Sequence, residues 1–357
     1  MNFDYNEEQR LLADSVRRFL AKDYDFEARR KIVASAQGWS DKVWGTFAEM
    51  GLTGLPFPAE HGGFGGGAVD LMGVMEAFGE ALVVEPYLPT VMAGRIVAGS
   101  PIAGAILPAV IEGRMKLAFA HGEKGARYEL AAVQTAAKKS DGGWVLDGEK
   151  AAVVGAPMAD KLVVSAKTHD GIALFLADRP QVEAFRTLDG MRAADVVFTS
   201  TPAQALEGGL DRVEEVTDLA TALVCAEAVG AMKFACDSTL EYLKTRKQFG
   251  VPIGAFQALQ HRMVDMVIAQ EQARSMACLA CSKIDQSHDA QERKRSVSAA
   301  KIKIADSARH ISQEAVQLHG GMGMSEELKI SHAFRRLTVL AGQFGDADHH
   351  LARFASL

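Results

Sequence analysis

Cysteine is scarce in this chain, and the scarcity excludes a structural zinc centre. The 357 residues hold four, Cys225, Cys236, Cys278 and Cys281, of which only the last two are close in sequence. A lone CxxC with no second pair cannot supply four zinc ligands. On a helix, residues three apart share a face, so the expectation is buried free thiols and no metal site. Long runs of one charge are missing as well. The net charge is −6 with a pI near 6.0, and no basic block offers a nucleic-acid arm or a polybasic membrane patch. Nor does any apolar stretch approach the ~20 residues of a membrane span. The opening MNFDYNEEQRLL sets acids ahead of its first apolar run, the wrong polarity for a signal peptide. These absences predict a cytoplasmic protein that works without nucleic acid, membrane or metal.

What is present is ordinary globular composition, 48% hydrophobic and 24% charged, in a chain long enough for two or three packed units. Three textures follow one another. Residues 1–115 read as helical: Asn6-Glu7-Glu8-Gln9 opens a helix whose Leu11, Leu12, Val16, Phe19 and Leu20 keep the spacing of one face, and the pattern recurs at Trp44–Met50 and Val69–Leu82. Residues 116–208 carry short β-type runs at Leu117–Ala120, Trp144–Leu146, Leu162–Ser165, Ile172–Leu176 and Val196–Phe198. Turn signals such as Asp141-Gly142-Gly143 and Asp147-Gly148 separate them, which fits an antiparallel barrel or sandwich better than βαβ units. Residues 209–357 return to long helical periodicity over Asp218–Lys244, Leu259–Ser282 and Val297–Leu318, lengths suited to a four-helix bundle.

Between the first helices lies His61-Gly62-Gly63-Phe64-Gly65-Gly66-Gly67. It lacks the lysine and Ser/Thr of a phosphate-binding P-loop and precedes no βα unit, so it reads as a connecting loop fixed by positive-φ glycines.

Three stretches carry a family resemblance. They are Gly51-Leu52-Thr53-Gly54-Leu55-Pro56-Phe57-Pro58 through Gly65; Arg246-Lys247-Gln248-Phe249-Gly250 followed by Phe256-Gln257; and Ala315-Val316-Gln317-Leu318-His319-Gly320-Gly321-Met322-Gly323. In this order, with a β segment between the first two, the chain resembles the acyl-CoA dehydrogenase family. The resemblance implies an α+β fold: an N-terminal helical domain, a central β-barrel domain and a C-terminal four-helix bundle, assembled as a dimer or a dimer of dimers. It also implies FAD as cofactor, an acyl-CoA thioester as substrate in fatty acid or steroid catabolism, and electron-transfer flavoprotein as acceptor.

In that family the second and third stretches hold the ADP half of a neighbouring subunit's FAD. The residues suit the task. Arg246 offers a planar fork of donors for a pyrophosphate, with Gln248 and Phe249 beside it; Phe249 can shield the contact and Gln257 adds an amide. Gln317 resembles the amide that reads the adenosine half. Gly320 and Gly321 let backbone approach without a Cβ in the way. The competing reading makes Arg246 a helix C-terminal cap and Gly320-Gly321 a helix stop.

The catalytic half departs from the family. Desaturation needs a carboxylate to take the α-proton while the flavin accepts the β-hydride. The position that usually carries this glutamate is Phe344 here, in Gly342-Gln343-Phe344-Gly345-Asp346, and the family's alternative position is Ala220, followed by Thr221 in place of an arginine. The run that usually contacts the flavin ring reads Ala120-His121-Gly122-Glu123-Lys124-Gly125-Ala126-Arg127, and the later Trp-Ile-Thr segment is replaced within Gly148-Glu149-Lys150-Ala151-Ala152-Val153-Val154. The half that serves a neighbour's cofactor is intact and the half that serves the chain's own is eroded. Unequal subunits explain that pattern: a sister chain with the base and the ring site, and this chain with the ADP clamp, as in the small subunits of pimeloyl-CoA-type and steroid side-chain acyl-CoA dehydrogenases.

Substitute bases stand beside this reading. Glu227 lies in a very apolar helical context, where an ion pair or hydrogen bond at a helix interface competes with catalysis. Asp346 and Asp348 lie near the lost base, with one of them explained as a helix cap. His121 and Glu123 either line the remodelled β domain or lie on its surface. His349-His350 is no metal pair, because adjacent helical residues diverge. Two alternatives remain: a self-sufficient flavoenzyme with a relocated base, and a non-catalytic assembly scaffold.

Overall fold

The computed structural model describes residues 5–140, 143–180 and 182–357. It contains helices α1 (Glu7–Asp23), α2 (Phe26–Ala34), α3 (Asp41–Glu49), α4 (Ala68–Ala81), α5 (Tyr87–Ala98) and α6 (Ala103–Ile111). Strands β1 (Leu117–Ala120), β2 (Ala136–Ser140), β3 (Gly143–Val154), β4 (Lys161–Thr168), β5 (Gly171–Asp178), β6 (Glu183–Arg186) and β7 (Arg192–Leu206) follow. Helix α7 (Leu210–Thr245), the short strands β8 (Lys247–Gln248) and β9 (Val251–Pro252), and helices α8 (Gln257–Gln286), α9 (Ala290–His319), α10 (Lys329–Gly342) and α11 (Ala347–Ser356) complete the chain. The expected α+β order of helices, β segment and long helices is present.

Compactness divides the chain into two units, one of Met1–Arg29, Ala68–Val83 and Thr221–Leu357, the other of Arg30–Gly67 and Val84–Ala220. The residues before 115 therefore contribute to both.

In the helical unit, Asn6 starts α1 with the expected capping box, accepting from the Gln9 N–H while the Gln9 side chain accepts from the Asn6 N–H. Helices α4 and α7 touch backbone to backbone. A Cβ on Gly79 would lie 1.9 Å from the Glu227 carbonyl oxygen, and one on Gly230 would lie 1.9 Å from the Glu76 carbonyl oxygen, so only glycine permits the crossing. Helix α7 corrects one expectation. By length and composition it could span a membrane, but 89% of its most apolar window is buried, which suits a core helix. Cys225, Cys236 and Cys281 are buried free thiols, while Cys278 is only half-buried.

In the other unit the strands close into a barrel. The order β1-β4-β2-β3-β7-β5 returns to β4 through the β4–β5 pairing. Residues at alternate positions point inward: Leu162, Val164 and Ala166 of β4, Phe175 and Ala177 of β5, and Ala194, Val196 and Phe198 of β7 form one core. Two pairings are parallel, β1 with β4 and β2 with β4, where antiparallel neighbours were expected. The chain between β1 and β4 is long enough to allow the return that a parallel pair needs. The turn expected at Asp147-Gly148 is instead a bulge inside β3, with a register shift between Leu146 and Gly148. Gly148 has φ 147°, and a Cβ there would sit 2.7 Å from Thr135 Cα. Asp141-Gly142 lies outside the described residues. The loop after Pro58 is a connection as expected, with Gly62 and Gly65 at φ 90° and 67°.

Candidate functional site

The segment after α7 is a tight hairpin. Lys247 pairs Pro252 and Gln248 pairs Val251, and the two residues between, Phe249 and Gly250, both have positive φ, 53° and 83°. That is the backbone of a two-residue hairpin turn of the I′ kind. A bulky aromatic pays for it, since left-handed backbone costs an L-residue about 1–2 kcal/mol. Phe249 recovers little of this by burial: it is 91% exposed, with its ring edge-on to that of Phe256 at 6.2 Å between centroids. The Ile253 N–H closes the hairpin base on the Arg246 carbonyl at 2.8 Å.

The C-terminal end of α9 meets this region. His319 stacks on Tyr242 of α7 at 4.5 Å and 25°, and Arg262 of α8 donates to Glu314 of α9 at 2.6 Å. Helix α9 stops at Gly320, φ 62°, whose N–H donates to the Gln317 carbonyl, and a 3-10 turn, Gly320–Met324, follows. Contacts thus tie α7 to α9 and α8 to α9 near these ends, and the same ends carry Arg246, Gln248, Phe249, Gln257, Gln317, Gly320 and Gly321. All seven are exposed. Among the described residues the side chains of Arg246, Gln257 and Gln317 make no hydrogen bond or ion pair, and Gln248 reaches only the Lys247 carbonyl, at 2.9 Å. Gly320 does serve as a helix stop. Arg246 does not cap α7 with its side chain. Nothing lies within 4 Å of a Cβ built on Gly320 or Gly321. A guanidinium fork, two amides and open backbone, flanked by the exposed Phe249, Met322 and Met324, suit a phosphorylated ligand with a planar ring.

The positions where a base was sought are apolar. Ala220 is fully buried and Thr221 nearly so. Phe344 sits half-buried between α10 and α11 at φ 60°, in a turn fastened from three sides. Lys301, 0% exposed, donates to the Leu340 carbonyl, and burial pushes its pKa down to about 8. Asp346 accepts from the His349 N–H at 2.9 Å, the expected helix cap. His350 lies 3.1 Å from the Phe344 carbonyl through Nε2 and 3.3 Å from Ser298 Oγ through Nδ1. The carbonyl can only accept, so Nε2 carries the proton and Nδ1 accepts from Ser298. Burial first, and the Lys301 charge second, push the His350 pKa down to about 3. Asp348 is exposed, and no cluster of metal-ligating side chains occurs among the described residues.

Glu227 has a partner. Arg336 Nε and Nη2 donate to its two carboxylate oxygens at 2.7 and 2.8 Å, with both side chains 5% exposed. A carboxylate engaged at both oxygens by a guanidinium is poorly placed to take a substrate proton, so the geometry favours the ion-pair reading. The sequence analysis missed Arg336. Its signal was an arginine on the face of α10 that buries Ile330, Ala333, Leu337 and Leu340.

In the barrel, His121 and Glu123 belong to a buried network that the sequence analysis also missed, centred on Lys150. The Lys150 ammonium, 0% exposed, donates to the His121 carbonyl at 3.0 Å, Glu123 Oε1 at 2.8 Å and Ser165 Oγ at 3.1 Å. Ser165 Oγ in turn lies 2.8 Å from His121 Nδ1. The Gln134 and Thr135 N–H groups fill the remaining sites on Glu123, at 2.7 and 3.0 Å. Burial opposes the Glu123 charge, but Lys150 and these N–H groups hold its pKa at about 2. His121 is pushed down to about 4, by burial and then by Lys150. On β3 the Ala151 N–H donates to the Gly122 carbonyl at 2.8 Å, and the Ala152 N–H, at φ 50°, donates to Asp195 at 2.8 Å. The polar groups of this segment are occupied by one another.

Family models described as acyl-CoA dehydrogenase N-terminal, middle and C-terminal domains match residues 6–104, 118–201 and 207–355. The acyl-CoA dehydrogenase IpdE2 of Mycolicibacterium smegmatis is 30% identical over 352 residues, 98% of each chain. A chain of the ChsE4-ChsE5 complex from Mycobacterium tuberculosis is 25% identical with a TM-score of 0.92, over 100% of this chain and 98% of that one. PigA, solved with FAD and proline, is 26% identical with a TM-score of 0.88, over 100% and 98%.

Proposed function

The chain belongs to the acyl-CoA dehydrogenase family, and on that premise we propose that it is one subunit of an FAD-dependent acyl-CoA dehydrogenase. In this reading it supplies the ADP-binding half of a site that a sister chain completes. The observation that carries the proposal is the set of exposed donors at the ends of α7 and α9 and the start of α8, with the side chains of Arg246, Gln257 and Gln317 free of partners among the described residues. Such donors are ready for a ligand held by another protein. Arg246 would grip the pyrophosphate in a bidentate fashion, Gln257 and Gln317 would read the nucleotide, and Phe249 would cover the contact against water. FAD, bound there, supplies a two-electron acceptor for α,β-desaturation of an acyl-CoA thioester.

Two further observations support the division of labour. The stretch of β3 that would face a flavin ring spends its polar groups internally, through Lys150, Ala151 and Ala152. The base positions hold Phe344 and Ala220, neither of which can accept a proton, so that acid–base chemistry falls to the sister chain. The likeness to a chain of the two-component ChsE4-ChsE5 complex supports a heteromeric assembly. Electron-transfer flavoprotein is the acceptor this assignment calls for.

The test is to purify the chain alone and together with a sister subunit, and count flavins. The chain alone should hold little FAD and show no acyl-CoA desaturation, while the complex should hold one FAD per pair of unequal chains. Arg246→Ala in the complex should weaken FAD by 10-fold or more, since charge-assisted hydrogen bonds contribute about 1.5–3 kcal/mol. Stoichiometric FAD and turnover in the lone chain would overturn the proposal. Unchanged flavin in the Arg246→Ala complex would favour a scaffold.

A further inference from the structure

The proposed clamp is assembled from three separate helix ends, so something must hold them in register. Arg246 lies one turn beyond Tyr242, and its N–H donates to the Tyr242 carbonyl at 2.8 Å. Gln317 lies two residues before His319. The two rings stack at 4.5 Å and 25°, which directly joins the end of α7 to the end of α9.

His319 is fixed on its other sides as well. Its Nδ1 lies 2.8 Å from the Ala315 carbonyl, which can only accept, so Nδ1 carries the proton and the ring plane is set. The 3-10 turn after α9 folds back on it: a Cβ on Gly323 would sit 3.1 Å from His319 Cβ and 2.5 Å from the Val316 carbonyl oxygen. The residue is 5% exposed, and burial disfavours a charge on the ring.

We infer that His319 is a positioning residue of the clamp: stacked on Tyr242, it holds Gln317 and the Gly320–Met324 turn in register with Arg246. The inference rests on the ADP-clamp reading above. His319 touches no cofactor in this account. It acts through the segments on either side of it, and the aromatic face, not the imidazole chemistry, is what matters. An aromatic replacement at either position should therefore serve, and an aliphatic one should not.

The experiment is a ligand-observed NMR titration of the full-length chain with ADP, which reads dissociation constants into the millimolar range. The variants are His319→Ala, His319→Phe, Tyr242→Leu, Tyr242→Phe, His319→Ala/Tyr242→Leu and Arg246→Ala. An aromatic pair contributes about 0.5–1.5 kcal/mol beyond its buried area, so His319→Ala and Tyr242→Leu should each weaken ADP roughly 2- to 12-fold. His319→Phe and Tyr242→Phe should bind like the wild type. The double variant should be no weaker than either single one, because both remove the same contact, a pattern that independent losses of stability would not produce. If Arg246→Ala weakens ADP while His319→Ala and Tyr242→Leu do not, the positioning role is wrong and the clamp stands. If the wild type shows no ADP binding, or Arg246→Ala leaves it unchanged, the clamp fails and the positioning role with it. Should His319→Ala not fold, the two Tyr242 variants decide the matter from the half-buried side of the stack.

Discussion

The Glu227–Arg336 pair allows a quantitative prediction that also separates structure from catalysis. Both partners are 5% exposed, and two hydrogen bonds of 2.7 and 2.8 Å join them, so removing one leaves a desolvated charge with no way back to water. The backbone cannot relax to admit any, because Gly79 of α4 presses on the Glu227 carbonyl. Breaking a buried pair from one side costs about 3–5 kcal/mol, whereas replacing both partners by apolar groups is often neutral. Glu227→Leu and Arg336→Met should each lose that amount. With an unfolding entropy of about 2.1 cal/mol/K per residue, melting midpoints should fall by roughly 4–7 °C if the whole chain melts as one. Glu227→Leu/Arg336→Met should recover most of the loss, giving a coupling energy of several kcal/mol in the double-mutant cycle. The assay is chemical denaturation of all four proteins, followed by turnover of the assembled enzyme. Single variants that lose less than 1 kcal/mol, with an additive double, would refute the ion-pair argument. A double variant that is fully stable yet inactive in complex would return Glu227 to candidacy as a base.

The remaining predictions address the hairpin, the barrel and the response to acid. Phe249→Gly should raise stability by up to about 1 kcal/mol, because it relieves left-handed backbone and gives up little burial, and should lower FAD retention in the complex; thermal melts and flavin counts falling together would count against a functional reason for the strain. Lys150→Met strands the Glu123 carboxylate beside its two N–H donors and should cost about 3 kcal/mol or more, read through Trp144, whose ring lies 5.2 Å from that of Phe175 in the barrel; a loss under 1 kcal/mol would show the network to be dispensable. His350 has a folded pKa of about 3 against 6.5 when unfolded. The unfolded state thus binds the extra proton first, and stability is whole above pH 6.5 and falls as the pH drops toward 3, by up to ~1.4 kcal/mol per pH unit for this group. His350→Gln should flatten that part of the profile, and an unchanged slope would mean that other groups set it.

The long helices were legible because their apolar spacing persists over many turns, and the barrel strands Leu162–Ser165, Ile172–Leu176 and Val196–Phe198 because inward apolar positions dominate them. Strands β2 and β6 escaped notice. Their sequences, Ala136-Ala137-Lys138-Lys139-Ser140 and Glu183-Ala184-Phe185-Arg186, carry little apolar alternation, and all four β6 residues are exposed. Asp147-Gly148 misled for a related reason. A glycine at φ 147° serves a bulge as well as a turn, and only the close approach of Thr135 decides between them. The polar pairs were hidden because their members lie far apart in sequence. Glu227 alone was conspicuous, but the arginine that satisfies it lies 109 residues away, and Lys150 finds Glu123 and Ser165 only once β3, β4 and the segment after β1 are packed. For the proposed clamp, the motifs name the residues, but the Tyr242–His319 and Arg262–Glu314 contacts that tie those helix ends together follow from no spacing rule.

The two halves of the molecule's polar chemistry differ in what they give to folding. Lys150, Glu123, His121 and Ser165 are engaged with one another out of water, and Glu227 with Arg336 likewise; each of these groups accounts for itself as part of the fold. The hairpin and helix ends do not. Phe249 sits in a costly backbone conformation with 91% of its surface in solvent, and the side chains of Arg246, Gln257 and Gln317, about eleven N–H and C=O functions together, find no partner among the described residues. An exposed phenylalanine at positive φ lowers stability, and neither its burial nor any hydrogen bond offsets it. Glycine or asparagine at position 249 would fold better and present the same turn. The proposed function gives that strain a use: the ring would cover the contact between the donors around it and an anionic, ring-bearing ligand that another subunit brings.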